Sequence, residues 1–147
     1  MECRISHQEN LSPAETEVLN QVLKKIETKA TAILGDSTIR TGGKNKPAAE
    51  FFYISACKTE DGHARINVNL SYSKTSAYIR QGQILGWLEG IYDAAHRGTK
   101  KTIAGYSGES MQFDSIADLA QAMNTTIPNR SQNIDISDLA RTSQARR

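Results

Sequence analysis

Thr75 to Gly98 reads TSAYIRQGQILGWLEGIYDAAHRG, and its spacing decides how the rest of the chain is arranged. Ile84, Leu88, Ile91 and Ala95 recur at steps of four, three and four, which draws an apolar stripe along a helix. Leu85, Trp87 and Tyr92 widen that stripe until little of the circumference is polar, so most of this helix is expected to be buried. Gly82, Gly86 and Gly90 add a second, bare stripe at steps of four. Each glycine costs roughly 1 kcal/mol against alanine in a helix interior. The physical compensation is close approach, because another backbone packs directly where no Cβ stands. That backbone belongs to a sheet, a neighbouring helix or the same helix of a second copy. The glycines are therefore a candidate close-packing or oligomer face, and a homo-oligomer is expected.

Upstream, Ser12-Pro13-Ala14-Glu15 is a helix start, with Ser12 as N-cap, Pro13 at N1 and Glu15 closing a capping box. Val18, Leu19, Val22, Leu23, Ile26, Ala30 and Ile33 form one stripe, and Gly35 is the stop signal. Asp36 to Ala49 reads as a glycine-rich loop carrying Arg40, Lys44 and Lys46, with no acid after Asp36. Glycine and cations together suit an anion, although the spacing is not that of a P-loop.

Between that loop and the glycine-striped helix lies a hairpin whose register is decidable. Ile66, Val68 and Leu70 alternate with Arg65, Asn67 and Asn69, while Glu50 to Lys58 has apolar residues on both faces. A two-residue turn at Asp61-Gly62 would set Ile54 against Asn69. A three-residue loop of Glu60, Asp61 and Gly62 sets Ala56 against Ile66, Ile54 against Val68 and Phe52 against Leu70. The second register joins apolar to apolar throughout and uses the commonest three-residue loop, a type I turn with a left-handed glycine. Its outer face then carries Phe51, Tyr53, Ser55 and Cys57 beside Arg65, Asn67, Asn69 and Ser71. A ring to stack, amides to read a base edge and a cation for phosphate suit a nucleotide or a single strand. Tyr53, Arg65, Asn67 and Asn69, with Arg40 and Lys44 of the loop, are the candidate ligand-binding residues.

Downstream, Gly98 marks the end of the long helix, with His96, Arg97, Lys100 and Lys101 around it. Cations there suit the helix dipole as well as a phosphate. A second hairpin is expected over 101–113, followed by a short helix capped by Asp114 or Ser115 with Ile116, Leu119 and Ala120 inward. The expected fold is α+β: an antiparallel sheet built from two hairpins, with two main helices and one short helix packed on it. Residues 1–11 read as a polar arm, 12–126 as one domain and 127–147 as a basic, largely flexible tail.

The 147 residues suffice for one modest core. Residues 1–123 hold fourteen Lys/Arg against fourteen Asp/Glu, so the net charge of +2 comes from the tail. Cys3 and Cys57 imply no disulfide framework, and no apolar run marks a signal peptide or a membrane span. A cytoplasmic protein is the simplest expectation, with delivery by a signal-less secretion system also compatible. His7, His63 and His96 show no paired metal-ligand spacing, and no metal or cofactor is expected. Gly105 to Glu109 departs from the nucleophile elbow at its last position. Cys57 and His63 are out of register for a catalytic pair. Glu89 and Asp93 lie one turn apart and read as an exposed acidic edge rather than an acid–base pair. The expected function is a non-enzymatic, homo-oligomeric module for an anionic ligand, a nucleotide-sized molecule or single-stranded nucleic acid. The alternative is a protein-interaction factor, an inhibitor or secreted effector, docking a protein through the outer sheet face. A small hydrolase or transferase comes third.

Overall fold

A computed structural model describes residues 1–96, 105–107, 109–126, 134–137 and 139. In chain order the elements are β1 (Glu2–Ile5), α1 (Pro13–Leu34), β2 (Thr38–Thr41), β3 (Lys44–Pro47), β4 (Phe52–Lys58), β5 (Ala64–Leu70), α2 (Thr75–Ala95), β6 (Gly105–Ser107), β7 (Ser110–Phe113) and α3 (Ile116–Thr126). Short 3-10 turns stand at Gln8–Asn10 and Ala48–Phe51.

Helix α1 begins as its sequence dictates. The Ser12 hydroxyl accepts from the Glu15 N–H at 3.1 Å, and the Glu15 carboxylate accepts from the Ser12 N–H at 2.9 Å. Its far end is closed by Gly35 at φ +52°, which most side chains would resist. Val18, Leu19, Val22, Leu23, Ile26 and Ala30 are buried along one side.

The hairpin β4–β5 pairs Phe52 with Leu70, Ile54 with Val68 and Ala56 with Ile66, the register expected from the apolar pattern. Its turn is also the expected one: the Gly62 N–H donates to the Thr59 carbonyl at 2.9 Å, and Gly62 sits at φ +86°. Strands β6 and β7 form the second hairpin, closed by the Ser107–Ser110 pair. The Ser115 hydroxyl then accepts from the Asp118 N–H at 3.0 Å and caps α3. Residues 97–104, which include the Gly98 stop signal and the cations around it, lie outside the described residues.

The sheet runs β1-β4-β5-β7-β6, with all helices on the face lined by Ile54, Ala56, Ile66, Val68, Met111 and Phe113. The fold is α+β, but the sheet is mixed rather than purely antiparallel. Strand β1 lies parallel to β4, from Glu2 beside Tyr53 to Ile5 beside Ala56. The four residues read as part of a polar arm alternate, so that Cys3 and Ile5 turn to the core and Glu2 and Arg4 away from it. They close one edge of the sheet, and α1 is the crossover that parallel pairing requires.

Three further expectations are corrected. Residues 38–47 form a two-stranded hairpin rather than a loop. Gly42 and Gly43, both at positive φ, make its two-residue turn, and Ile39 anchors it in the core. Helix α2 is not mostly buried. Ala77, Gln81, Ile84, Leu85, Leu88, Ile91 and Tyr92 face inward, but Tyr78, Ile79, Gly86 and Gly90 are exposed. Among the described residues a Cβ at Gly86 or Gly90 would meet no atom within 4 Å, so neither the sheet nor a neighbouring helix there uses those glycines for close approach. Finally, part of the expected tail docks. Ile134 and Leu139 are buried, and the Asn124 side chain bonds both the N–H and the carbonyl of Ile134, at 2.6 and 2.8 Å. The Asp135 N–H reaches Gln21 on α1 at 3.2 Å. Among the described residues no helix is long and apolar enough to cross a membrane.

Candidate functional site

The period of two that buries one face of β4 and β5 sends the alternate residues to the other face, and the ladders align them into rows. The first row runs Glu2, Tyr53, Asn69; the second Arg4, Ser55, Asn67, Ser110; the third Cys57, Arg65, Gln112. Arg4 and Arg65 are exposed, Tyr53, Asn67 and Asn69 half-buried, and Ser55 buried between its neighbours. Thus Tyr53, Arg65, Asn67 and Asn69 share one face. Tyr53 and Arg65 stand four residues apart along the strands, about 13 Å at ~3.3 Å per residue.

Side chains on this face are already ordered by one another. The Arg4 guanidinium lies 5.0 Å from the Tyr53 ring centroid, touches its hydroxyl at 3.4 Å, and pairs with Glu2 at 3.2 Å. Arg65 donates to the Gln112 side-chain oxygen at 3.0 Å, whose amide in turn meets His63 Nδ1 at 3.1 Å. Asn67 donates to the Ser55 hydroxyl at 3.4 Å. The cation nearest the ring is therefore Arg4, which the sequence reading left in an arm. Its guanidinium plane is itself a surface on which a base can stack. Gln112 was equally missed. The signals were the alternations Glu2-Cys3-Arg4-Ile5 and Ser110-Met111-Gln112-Phe113, but only strand pairing says which rows they join.

Arg40 and Lys44 are elsewhere. They sit exposed on the separate β2–β3 hairpin, Arg40 opposite Asn45 and Lys44 opposite Thr41. The Arg40 carbonyl accepts from the Lys74 ammonium, which ties that hairpin to the start of α2. The structure shows no contact joining them to the Tyr53 and Arg65 rows.

Neither thiol is prepared for attack. Burial, aided by Glu27, pushes the Cys3 thiol up to about 11, and burial raises that of Cys57 despite Arg65 beside it. A reactive cysteine needs the opposite shift. Among the described residues no three His, Cys, Asp or Glu side chains converge as metal ligands would. No known protein family matches this chain, and neither curated proteins nor solved structures yield a significant similarity.

Proposed function

We propose that this chain is a non-enzymatic, homo-oligomeric binding module whose open sheet face takes an anionic, ring-bearing ligand. That ligand is of nucleotide size or is a short run of single-stranded nucleic acid. The observation that carries the reading is the one-sided sheet: the helices pack on one face, and the other presents Arg4, Tyr53, Asn67, Asn69 and Arg65. Two arginines, one ring and two amides supply phosphate contact, stacking and edge recognition on a single surface. The exposed glycines of α2 support assembly, since Gly86 and Gly90 leave room for the backbone of a second copy.

Fluorescence titration with labelled mononucleotides and short oligothymidylates tests the reading. Tyr53→Ala should weaken binding by ~1–3 kcal/mol, and Arg65→Ala should flatten its salt dependence. Both variants should keep the wild-type circular dichroism, because neither side chain contributes to the core. Absence of binding to every probe, or unfolding of Tyr53→Ala, would remove the ligand face and leave the protein-interaction reading in its place.

A further inference from the structure

The three exposed large apolar side chains among the described residues fall within eight residues of one another. They are Tyr72, 40% exposed, and Tyr78 and Ile79, 52% and 57% exposed, around the junction of β5 with α2. The Tyr72 ring leans on Phe51, with centroids 5.9 Å apart, and the Tyr78 hydroxyl is held by Ser73 at 3.2 Å. The cluster is ordered, not a loose end.

The charges nearest the α2 side of this cluster are cations, while the exposed Glu50 lies beside Phe51. Residues 37–49 and 62–88 contain no carboxylate, and the flanking cations are Arg80 and Lys74, with Arg40 joined through its carbonyl to Lys74. None of these three forms an ion pair among the described residues, and the Arg80 guanidinium donates only to the Gln83 side chain. Exposed apolar side chains flanked by Lys74 and Arg80 suit a protein partner of opposite charge. A nucleic acid would exploit free ring faces, yet the Tyr72 ring is engaged with Phe51, and Ile79, the most exposed of the three, has no π face.

We propose that this end of the molecule docks an acidic amphipathic segment of a partner protein. Apolar side chains of that segment seat on Ile79, Tyr78 and Tyr72, and its carboxylates meet Arg80, Lys74 and Arg40. Tyr78, Ile79 and Arg80 belong to α2, on the helix side of the sheet, so the proposal does not depend on the ligand reading above.

The test is fluorescence anisotropy of the full chain with a labelled amphipathic helix, leucine along one side and glutamate along the rest. The wild type should bind this peptide and bind its lysine-for-glutamate counterpart at least about tenfold more weakly. Ile79→Asp and Arg80→Glu should each weaken binding about tenfold or more. Ile79 is exposed and Arg80 half-buried on a long helix, and unchanged circular dichroism would verify that both variants fold. Tyr53→Ala should leave peptide affinity unaltered, which separates this surface from the nucleotide face. Equal binding of the lysine peptide, or indifference to both substitutions, would overturn the proposal. So would displacement of the peptide by oligothymidylate or by phosphatidylserine vesicles, or loss of self-association in Ile79→Asp. Those results would assign the surface to a nucleic acid, a lipid surface or a second copy.

Discussion

Glu15 shows how much one side chain can join. It sits at the third position of α1, accepts from the Ser12 N–H, and meets the Lys58 ammonium of β4 at 2.9 Å. Burial alone would raise its pKa, but the hydrogen bonds from Ser12 and the Lys58 charge outweigh that and hold it below its ordinary value. A carboxylate with a depressed folded-state pKa contributes stability that is present above the unfolded pKa and lost as pH falls through the folded one. Glu15→Gln should therefore lower the melting temperature at neutral pH. The gap to the wild type should close in acid as the wild-type carboxylate protonates. A gap that persists unchanged at low pH would show that the Lys58 pair contributes nothing and that shape alone matters. Ser12 and Glu15 were legible as a capping box because their partners are three residues apart. Lys58 was not, because nothing local links it to Glu15.

At the scale of the element, α2 is the informative case. Its apolar residues cover so much of the circumference that periodicity pointed to burial on every side, whereas the chain covers only the face of Ala77, Ile84, Leu88 and Ile91. Gln81 completes that anchorage by donating to the Val68 carbonyl at 2.6 Å. Among the described residues no atom lies within 4 Å of where a Cβ at Gly86 or Gly90 would stand, so these two incur the helix-propensity cost with no packing return. Gly86→Ala should accordingly stabilise an isolated chain by about 1 kcal/mol in chemical denaturation. Gly86→Leu should reduce self-association in sedimentation experiments if a second copy lies across this face. Loss of stability in Gly86→Ala would mean that the monomer packs something against that position.

Across the whole molecule, the docking of Ile134 and Leu139 joins the C-terminal segment to the body of the fold. Ile134 is buried and bracketed by Asn124 of α3, and its neighbour Asp135 bonds Gln21 of α1. Ile134→Ala should destabilise the protein by on the order of 2 kcal/mol, read from the midpoint of urea unfolding. Asn124→Ala should act in the same direction, since it strands both the N–H and the carbonyl of Ile134. A midpoint unmoved by either substitution would show that this segment is carried by the body without supporting it.

Local pattern was sufficient wherever the deciding partner lay within one turn or one hairpin. The capping box of α1, the Glu60 to Gly62 loop and the pairing of Ile54 with Val68 all followed from neighbours in the chain. So did the shared outward face of Tyr53, Arg65, Asn67 and Asn69, because register in a hairpin is fixed by turn length and side chains alternate with period two. Tertiary structure decided everything that rested on distant partners. Glu2–Ile5 is too short to declare itself a strand until β4 offers an edge, and that pairing places Arg4 against Tyr53. Thr38–Pro47 folds back on Gly42-Gly43 with its one inward residue, Ile39, reaching the core from the side. Ile134 has few apolar neighbours in sequence, and it is buried where Asn124 of α3 holds its backbone and Gln21 of α1 holds that of Asp135. In each of these the favourable contact comes after the entropy of closing a long loop has been met, and the contact can be recognised only in the folded chain.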